Sequence, residues 1–179
     1  MTSISKPEQA NGALTGATGT WTLDPAATTI AFQTRSMWGL AKVAGSFRAV
    51  EGDGTVSETG ALQGTLVVDA SSVDTGNKIR DRHLRSADFL ESDKYSTFVF
   101  AAREATAVAE DKVKVCGTLT VRDQTRPFDI VTTVLPTGAD TVALESEFEI
   151  DRSQWGISWT RMGAKVVNKM TVSASFTRN

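Results

Sequence analysis

Apolar residues at every second position are the feature that most constrains how this chain of 179 residues can fold. The clearest runs cover residues 113–121, 142–150 and 166–176, where apolar side chains alternate with polar or charged ones. Successive side chains of a strand point to opposite faces of a sheet, so this period predicts strands with one apolar face. About eight to ten such runs predict an all-β fold, either an antiparallel sandwich or a barrel.

One stretch interrupts the alternation. Residues 75–89 carry six Lys, Arg and Asp side chains around three large apolar ones. Thr75 or Asn77 can cap a helix that starts there, because a side-chain oxygen can accept from the first free backbone N–H groups. We therefore expect a short helical insert near residues 77–90, and a charged insert in a β domain has to cover or contact something.

Length and composition favour one domain that does not bind nucleic acid. Residues 1–18 are rich in small polar residues and are expected to be a flexible N-terminal tail before a domain at 19–179. The tail has no apolar run, so the sequence predicts neither a secretory signal nor a membrane span, and we expect a cytoplasmic protein. The formal charge of −2 argues against nucleic-acid binding, which needs a basic face.

Residues that usually carry catalysis or hold metals are scarce. His83 and Cys116 are the only histidine and cysteine, so we expect no disulfide, no metal site and no cofactor. The chain is predicted not to be an enzyme. One alternative is a hydrolase or isomerase that uses His83 with Asp81. Another is a ligand-free structural or stress-response module with a filled core.

The inward faces of the predicted strands supply an apolar set that could line a cavity, or that could simply pack together. It comprises Phe32, Phe47, Leu66, Phe98, Phe100, Val115, Leu119, Phe128, Ile130, Phe148 and Met170. Trp38 and Trp155 lie in predicted loops, where we expect them to flank an opening or a dimer contact. Trp155 is also a candidate ligand contact.

Six stretches carry a resemblance to a known family. They are W-T-L-D-P at 21–25, T-I-A-F at 29–32, G-S-F-R-A-V-E-G at 45–52, S-S-V-D-T-G-N-K-I-R-D-R-H-L-R-S-A-D-F at 71–89, G-T-L-T-V-R-D-Q-T-R-P-F at 117–128 and R-S-Q-W-G-I at 152–157. The fourth is the most specific, because it is long and its Arg-Asp-x-His-Leu order is unusual. On these residues the chain resembles the YceI-like family, the lipocalin-like polyisoprenoid-binding proteins.

The resemblance implies an extended eight-stranded antiparallel barrel with a helix against it and a long apolar tunnel. Members are taken to bind isoprenoid lipids, such as quinones or polyprenyl phosphates, without a reaction. For this chain it implies binding, storage or transport of an isoprenoid amphiphile, with a possible homodimer.

A charged head group would need partners at the tunnel mouth. Arg80, Arg82 and Arg85 could pair with a phosphate, and Asn168 is a polar residue at an inward position. The same arginines could instead pair with Asp81 and Asp88 and fasten the insert.

Overall fold

Antiparallel strands make up most of the structure, a computed structural model that describes residues 12–14 and 16–179. The one α-helix of the described residues, α1, covers Lys78–Arg85. The strands are Gly19–Leu23 (β1), Thr29–Ser36 (β2), Ala41–Val56 (β3), Leu62–Asp74 (β4), Thr97–Ala107 (β5), Lys112–Val121 (β6), Gln124–Pro136 (β7), Thr141–Asp151 (β8) and Val167–Arg178 (β9).

The sheet closes on itself. Its strand order is β1-β3-β2-β9-β8-β7-β6-β5-β4, and β3 also pairs with β4. Each of these neighbouring pairs is antiparallel. Closure leaves no sheet edge, so one apolar face is enclosed while the other faces solvent.

The nine strands fill eight positions around the barrel, because β1 and β2 share one. Both lie between β3 and β9, with Leu23 of β1 opposite Phe176 and Ile30 of β2 opposite Val172. Asp24 separates them by accepting hydrogen bonds from the backbone N–H groups of the following turn, Pro25–Ala27. The eight-stranded antiparallel barrel expected from the sequence is therefore confirmed.

β3 is the strand that lets the barrel curl. It has 16 residues and pairs with β1, β2 and β4. Its register with β4 shifts between Ser46 and Arg48 and again between Ala49 and Glu51. Such bulges bend a strand and increase its twist, which a small closed barrel requires.

The predicted insert is confirmed as a helix of two turns, shorter than the predicted range. Asn77 caps α1 by accepting hydrogen bonds from the backbone N–H groups of Ile79 and Arg80, both at 3.1 Å. The helix ends where the Ser86 N–H donates to the carbonyl of His83, and turns follow up to residue 90.

Part of the predicted N-terminal tail packs against the barrel. Gly12–Leu14 forms a single helical turn, and Leu14 is buried beside Val113 and Val115. Arg178 of β9 donates to the carbonyls of Gly16 and Thr18 at 2.8 and 3.1 Å. Residues 1–11 and 15, the rest of the predicted tail, lie outside the described residues.

Gly117 of β6 marks a close approach between strands that gives a test of the register. A Cβ atom at this position would lie 2.2 Å from the carbonyl oxygen of Ala101 on β5. We expect Gly117→Ala to lower the free energy of unfolding by about 1–3 kcal/mol, because backbone has to move to make room. Chemical denaturation measures the change.

Gly54→Ala is the matched control, since a Cβ there would come no closer than 3.7 Å to its nearest neighbour. The added methyl should leave stability unchanged or raise it by about 0.4–1 kcal/mol by restricting the unfolded chain. Equal losses in both variants would contradict the β5–β6 register.

Candidate functional site

An apolar cavity of about 470 Å³ occupies one half of the barrel and opens between α1 and the strand ends. Its volume lies within the range of small-molecule sites, about 300–1,000 Å³. A second cavity of about 170 Å³ occupies the other half. Leu66, Phe100, Ile130 and Val172 line both cavities, so the two adjoin in the middle of the barrel.

The structure brings the predicted apolar set together inside the barrel. Ten of its eleven members line the larger cavity, as does Trp155, and Val115 lines the smaller one. Whether these side chains contact a ligand stays a prediction. A cavity of this size means that the apolar side chains do not fill the whole centre of the barrel.

Aromatic rings form much of the cavity wall. The Phe47 ring lies 5.3 Å from that of Phe32 and 5.2 Å from that of Phe98. On another part of the wall, Phe128 lies 5.4 Å from Phe148 and 5.9 Å from Trp155. These tilted and edge-on pairs offer ring faces and ring edges to an apolar guest.

The two loop tryptophans have different environments. Trp155 is 2 % exposed, and its indole N–H donates to the carbonyl of Leu119 at 2.9 Å. Trp155 lines the larger cavity, so its expected place beside an opening stays a prediction, whereas its burial argues against a contact between copies of the chain. Trp38 is 76 % exposed in the turn Met37–Gly39, next to the opening.

Helix α1 forms one side of the opening and is fastened to the end of β4. Asp81 accepts hydrogen bonds from both the backbone N–H and the hydroxyl of Thr75. Arg80 donates to the Thr75 hydroxyl at 2.8 Å, and Arg85 donates to the carbonyls of Ser71 and Val73. His83, Leu84 and Arg80 face the cavity.

The predicted head-group residues separate into two pairs. Arg80 and Asn168 line the cavity, whereas Arg82 and Arg85 do not. Arg82 is exposed on α1, and Arg85 is held by the two β4 carbonyls. The alternative that these arginines pair with Asp81 and Asp88 is wrong for Arg85. This residue fastens the insert through backbone carbonyls instead.

Four cations that sequence reasoning missed also line the cavity: Arg35, Arg152, Arg161 and Lys165. Among the described residues that line this cavity there is no Asp or Glu. The backbone joins two of the elements that carry them, since the N–H of Lys165 donates to the carbonyl of Arg35 at 2.9 Å. The opening is therefore a cationic rim around an apolar interior.

Arg152 organises the loop that follows β8. Its guanidinium donates to the carbonyls of Ile157, Trp159 and Lys165 and lies 5.0 Å from the centre of the Phe89 ring. Burial lowers the pKa of Arg152 from its ordinary value, and the nearby Asp151 charge opposes that change. An arginine starts so far above neutrality that it stays charged.

The structure does not pair His83 with Asp81, as the enzyme alternative requires. His83 contacts Asp88 instead, with Nε2 2.8 Å from a carboxylate oxygen. The His83 ring also packs edge-on against Trp159, with centroids 4.7 Å apart. Asp81 is 6 % exposed, does not line the cavity and is held by Thr75.

The described residues contain no group of three or more His, Cys, Asp and Glu side chains suited to hold a metal ion. Within residues 12–14 and 16–179, no helix combines the length and the apolar character that a membrane crossing demands.

Comparison with known proteins gives a family match and two sets of relatives. A family model described as a YceI-like domain matches residues 21–177. A UPF0312 protein of Vibrio cholerae is 32 % identical over 104 residues, which cover 57 % of this chain and 55 % of the relative. One of Staphylococcus aureus is 34 % identical over 116 residues, covering 62 % and 63 %. The chain thus spans less than two thirds of either curated relative.

Two solved structures share the architecture. Burkholderia cenocepacia BcnA has a TM-score of 0.74 at 17 % identity, covering 86 % of this chain and 98 % of that one. A polyisoprenoid binding domain from Saccharophagus degradans, implicated in plant cell wall breakdown, has a TM-score of 0.71 at 16 % identity, covering 89 % and 98 %. At these identities the likeness shows the fold alone.

The contact between Asp81 and Thr75 can be tested by removing the carboxylate. In Asp81→Ala the two Thr75 donors lose their acceptor, which costs about 1–3 kcal/mol when such groups are buried. We expect unfolding free energy to fall by that amount and amide exchange across Lys78–Arg85 to accelerate, as measured by denaturation and hydrogen-exchange mass spectrometry.

Asp88→Ala is the control, because Asp88 is exposed and contacts His83 rather than the end of β4. An exposed pair of this kind contributes about 0–1 kcal/mol. If α1 exchanged equally in both variants, the fastening role given to Asp81 would be wrong.

Proposed function

The chain belongs to the YceI-like family, and on that premise we propose that its barrel binds an isoprenoid amphiphile without a chemical reaction. The observation that carries the proposal is the apolar cavity that opens through a cationic rim. Such a cavity suits a molecule with a long hydrocarbon tail and an anionic head. Binding of this kind supports storage or transport of the lipid, as inferred from the sequence.

Burial of the tail supplies enough free energy for useful affinity. One five-carbon unit transferred from water contributes roughly 3–4 kcal/mol, at about 0.8 kcal/mol per carbon. Summed over a forty-carbon tail, this transfer free energy exceeds any known affinity. The sum is too large because it leaves out the free-energy cost of ordering the tail. The empirical limit of about 0.3 kcal/mol per heavy atom gives roughly 12 kcal/mol, which corresponds to nanomolar binding.

The shape and chemistry of the interior support an isoprenoid tail in particular. Phenylalanine rings and the flexible Met170 side chain adapt to a branched chain, and the smaller cavity extends the space beyond the larger one. The Saccharophagus degradans protein with the same fold is described as a polyisoprenoid binding domain. We extend that ligand class to this chain as part of the proposal.

The rim favours an anionic head group over a neutral quinone. Arg35, Arg161 and Lys165 offer charged donors at the opening, and the described cavity lining holds no carboxylate that would neutralise them. Hydrogen bonds to ionised groups contribute about 1.5–3 kcal/mol, more than neutral ones. A prenyl phosphate uses these donors fully, whereas a quinone carbonyl gains less from the positive charge.

No observation favours the other two candidate functions. A hydrolase or isomerase built on His83 and Asp81 needs these groups together, and they have separate partners, Asp88 and Thr75. A ligand-free module needs a filled core, and the barrel contains an open apolar cavity. The cytoplasmic location and the homodimer stay predictions.

Occupancy of the barrel can be tested at Leu66, which lies where the two cavities adjoin. Leu66→Trp places a larger ring in this space, so we expect the stoichiometric isoprenoid of the wild type to be lost. Native mass spectrometry of the purified protein, followed by organic extraction, measures the bound lipid. Val172→Phe narrows the same junction and should also reduce occupancy.

Val131→Trp is the matched control, because Val131 is exposed on β7 and lines neither cavity. It should retain the wild-type amount of lipid. A wild-type protein that is free of lipid and takes up neither a quinone nor a prenyl phosphate would contradict the proposed function.

The head-group preference can be tested with two ligands that share a tail. We expect the wild type to bind geranylgeranyl phosphate about tenfold more tightly than geranylgeraniol, because only the phosphate pairs with the rim. The double variant Arg161→Gln and Lys165→Gln should lose this preference and keep its affinity for the alcohol. Titration calorimetry measures both affinities.

Lys112→Gln serves as control, because Lys112 is exposed and lines neither cavity. Equal affinity of the wild type for the two ligands would show that the rim does not select an anion.

A further inference from the structure

Large apolar side chains are exposed around the opening of the larger cavity. Met37, Trp38, Leu40, Ile79 and Met162 are 48–86 % exposed, and we call them the rim patch. The other large apolar residues exposed in the described part of the chain are four valines of at most 54 % exposure. Isolated exposed valines are ordinary on a protein surface, whereas a group of five larger residues beside one opening needs a reason.

Two short turns present most of the patch. They are Met37–Gly39, between β2 and β3, and Arg161–Gly163, before β9. The turns touch, because a Cβ on Gly163 would lie 2.3 Å from the backbone nitrogen of Trp38. The fold therefore holds the two turns together through their backbones and leaves the side chains of Trp38 and Met162 in solvent.

The backbone of these turns is unfavourable for their residues. Met37, Trp38 and Met162 have φ values of 50°, 57° and 57°, a left-handed conformation that residues with side chains rarely adopt. Such conformations cost free energy and concentrate at functional sites. Here all three residues lie in the two turns beside the opening of the larger cavity.

The rim patch is continuous with the cavity at one side and with positive charge at the other. Met37 and Met162 belong to the patch and also line the cavity. Arg35, Arg161 and Lys165 surround them, and Lys42 stands opposite Arg35 in the β2–β3 register. Ile79 lies one helical turn before His83 on α1, so it flanks the side of the helix that lines the cavity.

We propose that the rim patch docks on a lipid bilayer that contains anionic lipids. Tryptophan and large aliphatic residues enter the interfacial layer of a bilayer, and nearby Lys and Arg pair with anionic head groups. The rim supplies both at one opening. A second copy of the chain fits less well, because pairing two such rims would place like charges face to face.

Docking in this position would place the cavity opening against the bilayer. An isoprenoid tail could then pass between membrane and barrel without crossing water, where each exposed carbon is unfavourable. This last step rests on the proposed function. The docking itself depends only on the exposed residues and the charges of the rim.

The test is flotation of the purified protein with two kinds of vesicle. We expect binding to vesicles of phosphatidylcholine with phosphatidylglycerol, little binding to phosphatidylcholine alone, and weaker binding as salt is raised. The double variant Trp38→Ser and Leu40→Ser should bind the anionic vesicles at least tenfold more weakly. Each rim cation changed to Gln should weaken binding by about fivefold.

Val131→Ser is the matched control, because it removes an exposed apolar side chain away from the rim patch and should leave vesicle binding unchanged. Equal binding of the Trp38 and Leu40 double variant and the wild type would overturn the proposal, as would a wild type that binds neither kind of vesicle. A wild-type dimer in analytical ultracentrifugation that this double variant dissociates would make a second copy the occupant and overturn it too.

Uptake of geranylgeranyl phosphate without vesicles separates this inference from the proposed function. The Trp38 and Leu40 double variant should take up this ligand as the wild type does. Vesicle binding without ligand uptake would remove the proposed function and leave the docking surface standing. Ligand uptake without vesicle binding would remove the docking surface alone.

Discussion

Closure of the sheet through the β3–β4 pair is the constraint on which the rest of the structure depends. Once every strand has two neighbours, the backbone hydrogen bonds hold the barrel without help from a solid centre. Side chains on the enclosed face then need only pack with their neighbours around the wall. A cavity of about 470 Å³ can persist because the wall, rather than a filled core, holds the strands apart.

The same closure leaves the barrel ends to be organised by other elements. At one end, Leu14 packs beside Val113 and Val115, and Arg178 holds the backbone just after it. At the other, α1 and the loop after β8 surround an opening. Their fastening is polar, through the Asp81–Thr75 contact and the carbonyls that Arg152 binds, and it leaves the apolar faces of the insert free to line the cavity.

Affinity and selectivity fall to different parts of this site. The apolar wall offers burial to any hydrocarbon of suitable shape, because the hydrophobic effect depends on area and has no direction. In the proposed function the cationic rim would add a preference for an anionic head group, and in the proposed docking the rim patch would add a preference for an anionic membrane surface. The apolar wall would then bind the hydrocarbon tail, the cationic rim would bind the head group, and the rim patch would bind the membrane.

Local pattern determined much of this protein. Side-chain alternation specified the strands and most of the inward-facing set, and Asn77 with the charged run specified α1, because these properties depend on residues close in sequence. The pattern could not distinguish a filled core from a cavity, since both require the same apolar faces. Only the pairing of β2 with β9, which are far apart in sequence, brought Arg35 beside Lys165. Only tertiary packing buried Trp155 while leaving Trp38 exposed. Such juxtapositions depend on which strand ends meet in space, and that is a property of the whole closed sheet.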